Sequence, residues 1–324
     1  MSNKELVSVI IPTYNRADKI STAVESVIRQ NYEPIELIIV DDGSLDNTRD
    51  VLKKYQQAKY IWQPNAGQAS ARNKGLQNSK GFFIASLDSD DYWEPLFLER
   101  CISKLQSENL DFVFANWKQQ WPDGRCTDFL SGDPFLKPYV KNEKNNWFHL
   151  NEEELRKLYL RACPSPSSSG VIRRSSIISG WNEQIRIGDD WCFYLDMVLS
   201  KKCSAAFTME QLWSKQINAN NIYDGRNWSE VLELLFIKDM KQFMQRYERL
   251  LTKNELRIIT RKYIRGLVEL AKHHIFREHD LPGSFRLMKQ SAMVNPFFTL
   301  LAIPNVLAQG VNRHIKEFKN KSSN

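Results

Sequence analysis

The sequence predicts an α/β protein: a mostly parallel central sheet flanked by helices, followed by a helical C-terminal region. Three observations carry this. Val7-Ser8-Val9-Ile10-Ile11-Pro12 and Ile35-Glu36-Leu37-Ile38-Ile39-Val40 are short, β-branched and nearly all apolar, the pattern of strands buried on both faces of a parallel sheet. Between them Ile20, Ala23, Val24, Val27 and Ile28 recur at helical spacing, which makes a β-α-β unit. From Asn227 onward long helical periodicities take over, at 228–250, 252–278 and 281–293. The expected division is an α/β domain over 1–224 and a helical region over 225–324.

Taken in order, the first strand stops at Pro12 and Thr13-Tyr14-Asn15-Arg16 forms a loop before the helix Ala17–Arg29. The second strand ends in Asp41-Asp42-Gly43-Ser44, placing two carboxylates at the carboxyl edge of the sheet, where open α/β folds bind ligands. A helix over Asp46–Gln57 and a short strand Tyr60–Trp62 follow. In the run Asn65–Gly75 small residues allow close backbone approach; Arg72 there either meets a phosphate, base or carboxylate or is one arginine on a helix face. Phe82–Leu87 is the fourth strand, 96–108 a helix and Asp111–Asn116 another strand. Residues 117–151, rich in Pro, Gly, Asn and aromatics, read as a loop-rich insertion or an edge hairpin. Glu152–Arg161 is a short helix. Pro164–Gly170 is too rigid and too rich in small residues for one, and leads to Val171-Ile172. Gly188-Asp189-Asp190-Trp191 opens a helix with Phe193, Tyr194, Met197 and Val198 on its apolar face; its acids suit a helix amino end as caps or serve chemistry.

The fourth strand delivers Leu87-Asp88-Ser89-Asp90-Asp91. Three carboxylates within four residues repel and raise one another's pKa values unless something positive sits there. A hard divalent cation carrying phosphates, Mg²⁺ or Mn²⁺, fits, because it takes oxygen ligands from one or two carboxylates plus its substrate. An acidic turn after a strand is the alternative.

Composition narrows the classes. A hydrophobic share of 42% in 324 residues is that of a folded globular protein, and the net charge of +7 is uneven. Residues 225–324 hold 18 Lys+Arg against 9 Asp+Glu, so an anionic membrane surface or nucleic acid would meet that region first, unless it is a solvated helix face. No recognisable module supports nucleic acid. The five cysteines show no Cys-x-x-Cys spacing and suit a reduced, cytoplasmic setting. The start Met1-Ser2-Asn3-Lys4-Glu5 lacks the apolar core of a signal peptide, and Ala292–Val311, broken by Pro296 and Pro304, does not read as a membrane span, though it suits a position on a membrane.

Together the motifs resemble glycosyltransferase family 2, over roughly residues 5–215. The resemblance rests on five stretches in register: Val7–Arg16, Val40–Ser44, Asn65–Gly75 with Ala71-Arg72-Asn73, Asp88-Ser89-Asp90, and Gly188–Trp191. It implies a GT-A fold, Rossmann-like, and inverting transfer of a sugar from a nucleotide sugar, most often a UDP-sugar, to a hydroxyl of a glycan or lipid-linked acceptor in cell-surface polysaccharide synthesis. By position, Pro12, Thr13 and Tyr14 with Asp41 or Asp42 would hold base and ribose, and Arg72 would lie near base or phosphates. Asp88, with Ser89, would serve the ribose, and Asp90, with Asp88, the metal. Asp190 would be the base; Asp189 stands where the family usually has Glu, which leaves open which of the two faces the acceptor. Ser214-Lys215-Gln216 replaces the basic and His positions often found after the base, so no second clamp is assigned. Pro164–Gly170 is the expected wall of the acceptor pocket.

The chemistry explains why two acidic sites so far apart in sequence are needed. One serves the cation that faces the leaving diphosphate; the other takes the proton of the attacking hydroxyl. Two other readings compete. A nucleotide-sugar-binding protein without catalysis would not need both sites, and a sugar nucleotidyltransferase would open on a Gly-rich phosphate loop that Pro12-Thr13-Tyr14-Asn15 does not resemble. The expected location is cytoplasmic, with peripheral attachment to the inner face of the cell membrane through the basic tail as one option and packing of that tail on the chain or a second subunit as the other.

Overall fold

Every residue of the first strand, β1 (Val7–Thr13), is buried, and this follows from its place in the sheet. It lies between β2 (Ile35–Asp41) and β4 (Phe83–Ser86), parallel to both, and β3 (Lys59–Trp62) extends the parallel set beyond β2. The structure, a computed structural model, describes residues 4–140, 146–218, 221 and 223–307. The expectations for Met1–Asn3, and part of those for 117–151 and Ala292–Val311, lie outside the described residues. With β5 (Tyr92–Trp93), β6 (Phe112–Gln120), β7 (Cys126–Asp128), β8 (Trp147–Leu150), β9 (Gly170–Arg173) and β10 (Ala205–Gln216), one sheet of ten strands has the order β3-β2-β1-β4-β9-β6-β10-β5, with β7 paired to β6 and β8 paired to β10.

Helices α1 (Ile20–Ile28), α2 (Thr48–Leu52), α3 (Gln68–Gln77) and α4 (Phe97–Ser107) connect the early strands. α3 lies so close to β1 that a Cβ on Gly75 would stand 2.4 Å from Ile10 Cγ2, which accounts for the small residues read in this run. The helix expected over Asp46–Gln57 is only α2. Asp46 instead folds back onto Thr48, accepting from its N–H at 3.0 Å, and 53–58 continue as turns.

The second half of the sheet is antiparallel in part. β9 (Gly170–Arg173) is inserted between β4 and β6 (Phe112–Gln120), antiparallel to both. β6 runs past the expected Asn116 and returns as β7 (Cys126–Asp128), so the start of the irregular stretch is a hairpin; it regains a strand at β8 (Trp147–Leu150). α5 (Glu152–Tyr159) begins with a capping box, in which Asn151 accepts from Glu154 N–H at 3.0 Å. After α6 (Asp189–Ser200) comes β10 (Ala205–Gln216), parallel to β6 and antiparallel to β8 and to the two-residue β5 (Tyr92–Trp93).

Contacts divide the chain into two compact units, residues 1–184 with 189–224, and residues 185–188 with 225–324. In the second, α7 (Trp228–Val231) passes through a π-helical stretch, Leu232–Asp239, into α8 (Met240–Tyr247). The buried Asp239 carboxylate accepts from the N–H groups of Arg186, Ile187 and Gly188 at 3.0, 3.0 and 2.9 Å, which explains why those residues belong to this unit. α9 (Lys253–His273) continues as a π turn to Glu278, and α10 (Leu281–Val294) is followed by helical residues 296–307. Phe298, Ala302 and Ile303 pack with Val306 against Ile264 and Val268 of α9. No helix among the described residues is long and apolar enough to cross a membrane.

Candidate active site

The acidic loops leave the sheet at the carboxyl ends of β2 and β4, and one arginine joins the β4 loop to α6. Arg72, on α3, is 1% exposed. Its Nη2 donates to Asp88 Oδ1 at 2.6 Å and its Nη1 to Asp189 Oδ2 at 2.8 Å, with Asp190 Oδ1 3.5 Å away. The surface-helix reading of Arg72 is therefore replaced: the side chain is interior because three carboxylates from two distant segments compensate its charge. One guanidinium facing three carboxylates leaves the cluster formally at −2. Burial, with Asp190 adding to it, pushes Asp189 up to about 8 against the pull of Arg72.

The two acids opening α6 differ in surroundings. Both oxygens of Asp189 accept from Gln68 Nε2, at 3.0 and 3.1 Å, and its side chain is 3% exposed. Asp190 is 19% exposed. Ser167 N–H donates to its Oδ2 at 2.9 Å, while the Ser167 hydroxyl and Trp181 Nε1, the latter at 3.0 Å, reach Oδ1.

The Pro164–Gly170 stretch, expected as an acceptor wall, thus braces carboxylates through a 3₁₀ turn at Ser167–Ser169. Ser168 Oγ donates to Asp91 Oδ2 at 2.8 Å and accepts from Asp88 N–H at 3.1 Å, and its carbonyl accepts from Trp93 Nε1 at 2.7 Å. Sequence reading missed Gln68, Ser167, Ser168 and Trp181. The run of three serines after Pro166 was the available signal, since hydroxyls confined next to acidic loops act as donors.

At the β4 loop, Asp90 faces Arg16 at 3.6 Å and accepts from Asn221 Nδ2 at 3.2 Å. Burial first, then Asp88, raises it, and burial with Asp88 and Asp90 raises the interior Asp91 well above the usual range. Lys215, paired with Asp224 at 2.7 Å, adds positive charge on the Asp91 side. Ser89 is buried. Asp88 is 34% exposed, and its Oδ2 takes no bond from the described residues. No group of three or more His, Cys, Asp or Glu side chains arranged for a metal occurs among the described residues. Asp88 and Asp90 alone remain, a donor set that fits a cation taking its other oxygens from diphosphate and water.

At the other edge, Asp41 accepts from Ser44 N–H at 2.8 Å and from Tyr60 Oη at 2.7 Å. Asp42 accepts from Gln63 Nε2 at 2.7 Å and from Ala66 and Gly67 N–H at 2.9 and 2.7 Å. Both carboxylates organise their loops. Pro12 and Thr13 are buried at the end of β1, the Thr13 hydroxyl has no partner among the described residues, and Tyr14 is exposed.

A mostly parallel, Rossmann-like sheet with acidic loops at its carboxyl rim, a mixed second half and a helical region after it is the GT-A class of fold. A crystal structure of S. aureus TarS in complex with UDP-GlcNAc matches it with a TM-score of 0.59 over 92% of this chain and 83% of that one, at 17% identity. Residues 8–174 match the model of Glycosyl transferase family 2, and the chain belongs to that family: it is a glycosyltransferase. It is similar to the putative teichuronic acid biosynthesis glycosyltransferase TuaG of Bacillus subtilis, 40% identical over 72% of this chain and 87% of the relative. It also resembles the UDP-Glc:alpha-D-GlcNAc-diphosphoundecaprenol beta-1,3-glucosyltransferase WfaP of Escherichia coli, 42% identical over 35% of this chain and 46% of that protein.

Proposed function

We propose that the protein is an inverting glycosyltransferase that moves a sugar from a UDP-sugar to a hydroxyl of a glycan or lipid-linked acceptor in cell-surface polysaccharide synthesis. The observation that carries this is the convergence on Arg72 of Asp88, from the β4 loop, with Asp189 and Asp190, from α6. The name of WfaP supports the donor and acceptor classes, and that of TuaG the polysaccharide synthesis.

In this reading Asp190 is the base. It is the more accessible of the pair, and Ser167 and Trp181 fix its orientation. It takes the proton of the acceptor hydroxyl as that oxygen bonds to the anomeric carbon; the bond from that carbon to the diphosphate breaks on the opposite face, its electron pair leaving with the nucleotide. Asp189 holds Arg72, and Arg72 holds Asp88 in position for the donor. Asp88 and Asp90 would hold Mn²⁺ or Mg²⁺, which when bound supplies a Lewis acid against the charge of the leaving diphosphate. The Thr13 hydroxyl, with Pro12, Tyr14, Asp41, Asp42 and Ser89, lines the donor side.

The test pairs two variants. Asp190→Asn should lower turnover by about 10²- to 10⁴-fold, the usual worth of a positioned base, while UDP with Mn²⁺ still raises the melting temperature as in wild type. Asp90→Asn should lose the Mn²⁺-dependent part of that shift. Near-wild-type turnover by Asp190→Asn removes the base assignment, and an unchanged Mn²⁺ response in Asp90→Asn removes the cation site.

A further inference from the structure

The last described residues of the helical unit, 296–307, form a helix with apolar side chains on both sides. Inward, Phe298, Ala302, Ile303 and Val306 pack with Ile264, Val268 and Met288, and the Ser291 and Thr299 hydroxyls meet at 2.8 Å, so residues 296–307 are seated on α9 and α10. Outward, the same helix presents Phe297, Leu300, Leu301 and Leu307 to solvent. With Phe285 and Met293 of α10 they are between 48% and 78% exposed. A helix that is largely apolar on its outer face as well as its inner one, with Asn305 its exposed polar side chain, belongs in an apolar surrounding, and one side of this one is open to solvent.

Charge indicates what the surrounding is. No Asp, Glu, Lys or Arg occurs from Gln290 to Asn312, whereas the flanks are basic: Arg286 and Lys289 before, Arg313, Lys316, Lys319 and Lys321 after, against Glu317 alone. Arg286 and Lys289 are exposed on α10, the helix that carries Phe285 and Met293. An apolar strip bordered by cations complements a bilayer with anionic headgroups, the strip entering the acyl boundary and the cations meeting phosphates. A second copy of this chain would bring the same cations against themselves.

We infer that the outer face of residues 296–307, with Phe285 and Met293 of α10, is an interfacial membrane-docking surface that inserts apolar side chains into an anionic lipid leaflet. This goes beyond attraction of a basic tail, because it assigns the binding to named apolar side chains. It is independent of the proposed base, donor and acceptor, since lipid binding is read without any of them.

The full chain is floated with phosphatidylcholine vesicles and with vesicles of phosphatidylcholine and phosphatidylglycerol at 7:3. Wild type should partition onto the anionic vesicles at least about tenfold more strongly at low salt, the preference falling as salt screens the cations. Phe297→Ser/Leu300→Ser/Leu301→Ser should lower partitioning onto them by about a hundredfold, from the apolar area withdrawn. The exposed Ile178→Ser, in the other unit, is the control and should bind like wild type. Because the three side chains face solvent, the triple variant should keep the helical circular dichroism of wild type; a Leu300→Trp variant should gain fluorescence quenching by brominated lipid over that of the nine tryptophans of wild type, a reading that does not depend on the triple variant. Failure of wild type to float with anionic vesicles, equal partitioning of wild type and the triple variant, or a lipid-free dimer dissolved by the triple variant would each overturn the inference.

Discussion

Replacing Arg72 with Met should destabilise the protein strongly at pH 10 and less at pH 6. Arg72 makes charge-assisted hydrogen bonds of 2.6 and 2.8 Å in the interior, and Met fills similar volume without charge. Its loss strands Asp189, which is buried and among the described residues keeps only the Gln68 amide as a side-chain donor. Leaving one member of a buried ion pair costs about 3–5 kcal/mol. The loss depends on pH because burial already raises Asp189 to about 8 beside Arg72, and the variant removes the cation that opposed the rise. A carboxyl whose folded pKa lies above its unfolded value binds more protons when folded, so its contribution is most favourable below pH 4 and is lost as pH rises through the folded value. Urea denaturation at pH 6 and pH 10, each against wild type at the same pH, measures this. Arg72→Met/Asp189→Asn, which removes both charges, should recover about 2 kcal/mol or more of the pH 10 loss and flatten the pH dependence. A single variant within about 1 kcal/mol of wild type at pH 10, well below that ion-pair cost, or a double variant no more stable than the single, would refute the argument that Arg72 compensates buried charge.

Three further outcomes follow from the packing. Ser167→Ala removes the hydroxyl donor to Asp190 and should lower turnover by about ten- to a hundredfold, the worth of a hydrogen bond to a charged group, with donor binding unchanged in calorimetry. Gly75→Ala places a methyl 2.4 Å from Ile10 Cγ2 and should cost about 1–3 kcal/mol in denaturant unfolding by forcing α3 from β1. Lys201, Ser176 and the Ser204 amide hold the Asp111 carboxyl below its usual range despite partial burial. Its contribution is therefore present above the unfolded value near 4 and lost as pH falls through the folded one. Asp111→Asn should flatten the acid limb of the stability profile, read by melting temperature from pH 5 to pH 2.

How much was legible in the sequence depended on whether a segment's environment imposed a period. β1, β2 and β4 are buried over most of their length and read as nearly unbroken apolar runs, so their places and the acids that follow β2 and β4 were recoverable. β10 was not read as a strand: it mixes Thr208, Glu210, Gln211, Ser214 and Lys215, and its register against β6 shifts after Thr208 and again after Gln211, which breaks any alternation. β5, two residues long, is a strand only because Trp213 and Ser214 pair with it. The burial of Arg72 could not be read from α3, whose neighbours Gln68, Asn73 and Lys74 give no apolar stripe; its compensating charges come from residues 16, 117 and 118 positions away. Asp88, Asp90 and the Asp189-Asp190 pair stood out because acids crowded at strand and helix ends are conspicuous, whereas the serines and the indole bracing them resemble ordinary loop residues.

The antiparallel insertion of β9 has a mechanical consequence. Ser167–Ser169 run straight into this strand, and a Cβ on Gly170 would stand 2.7 Å from Tyr194 Oη and 3.1 Å from the Val113 carbonyl, so the serine turn is clamped to the middle of the sheet. Groups mounted on such a clamp are in place before a substrate arrives and need little reorientation during the reaction. Whatever opening and closing a catalytic cycle requires then falls to stretches outside the clamp, with the exposed β6–β7 turn at Gly124 the place to look for it by hydrogen exchange.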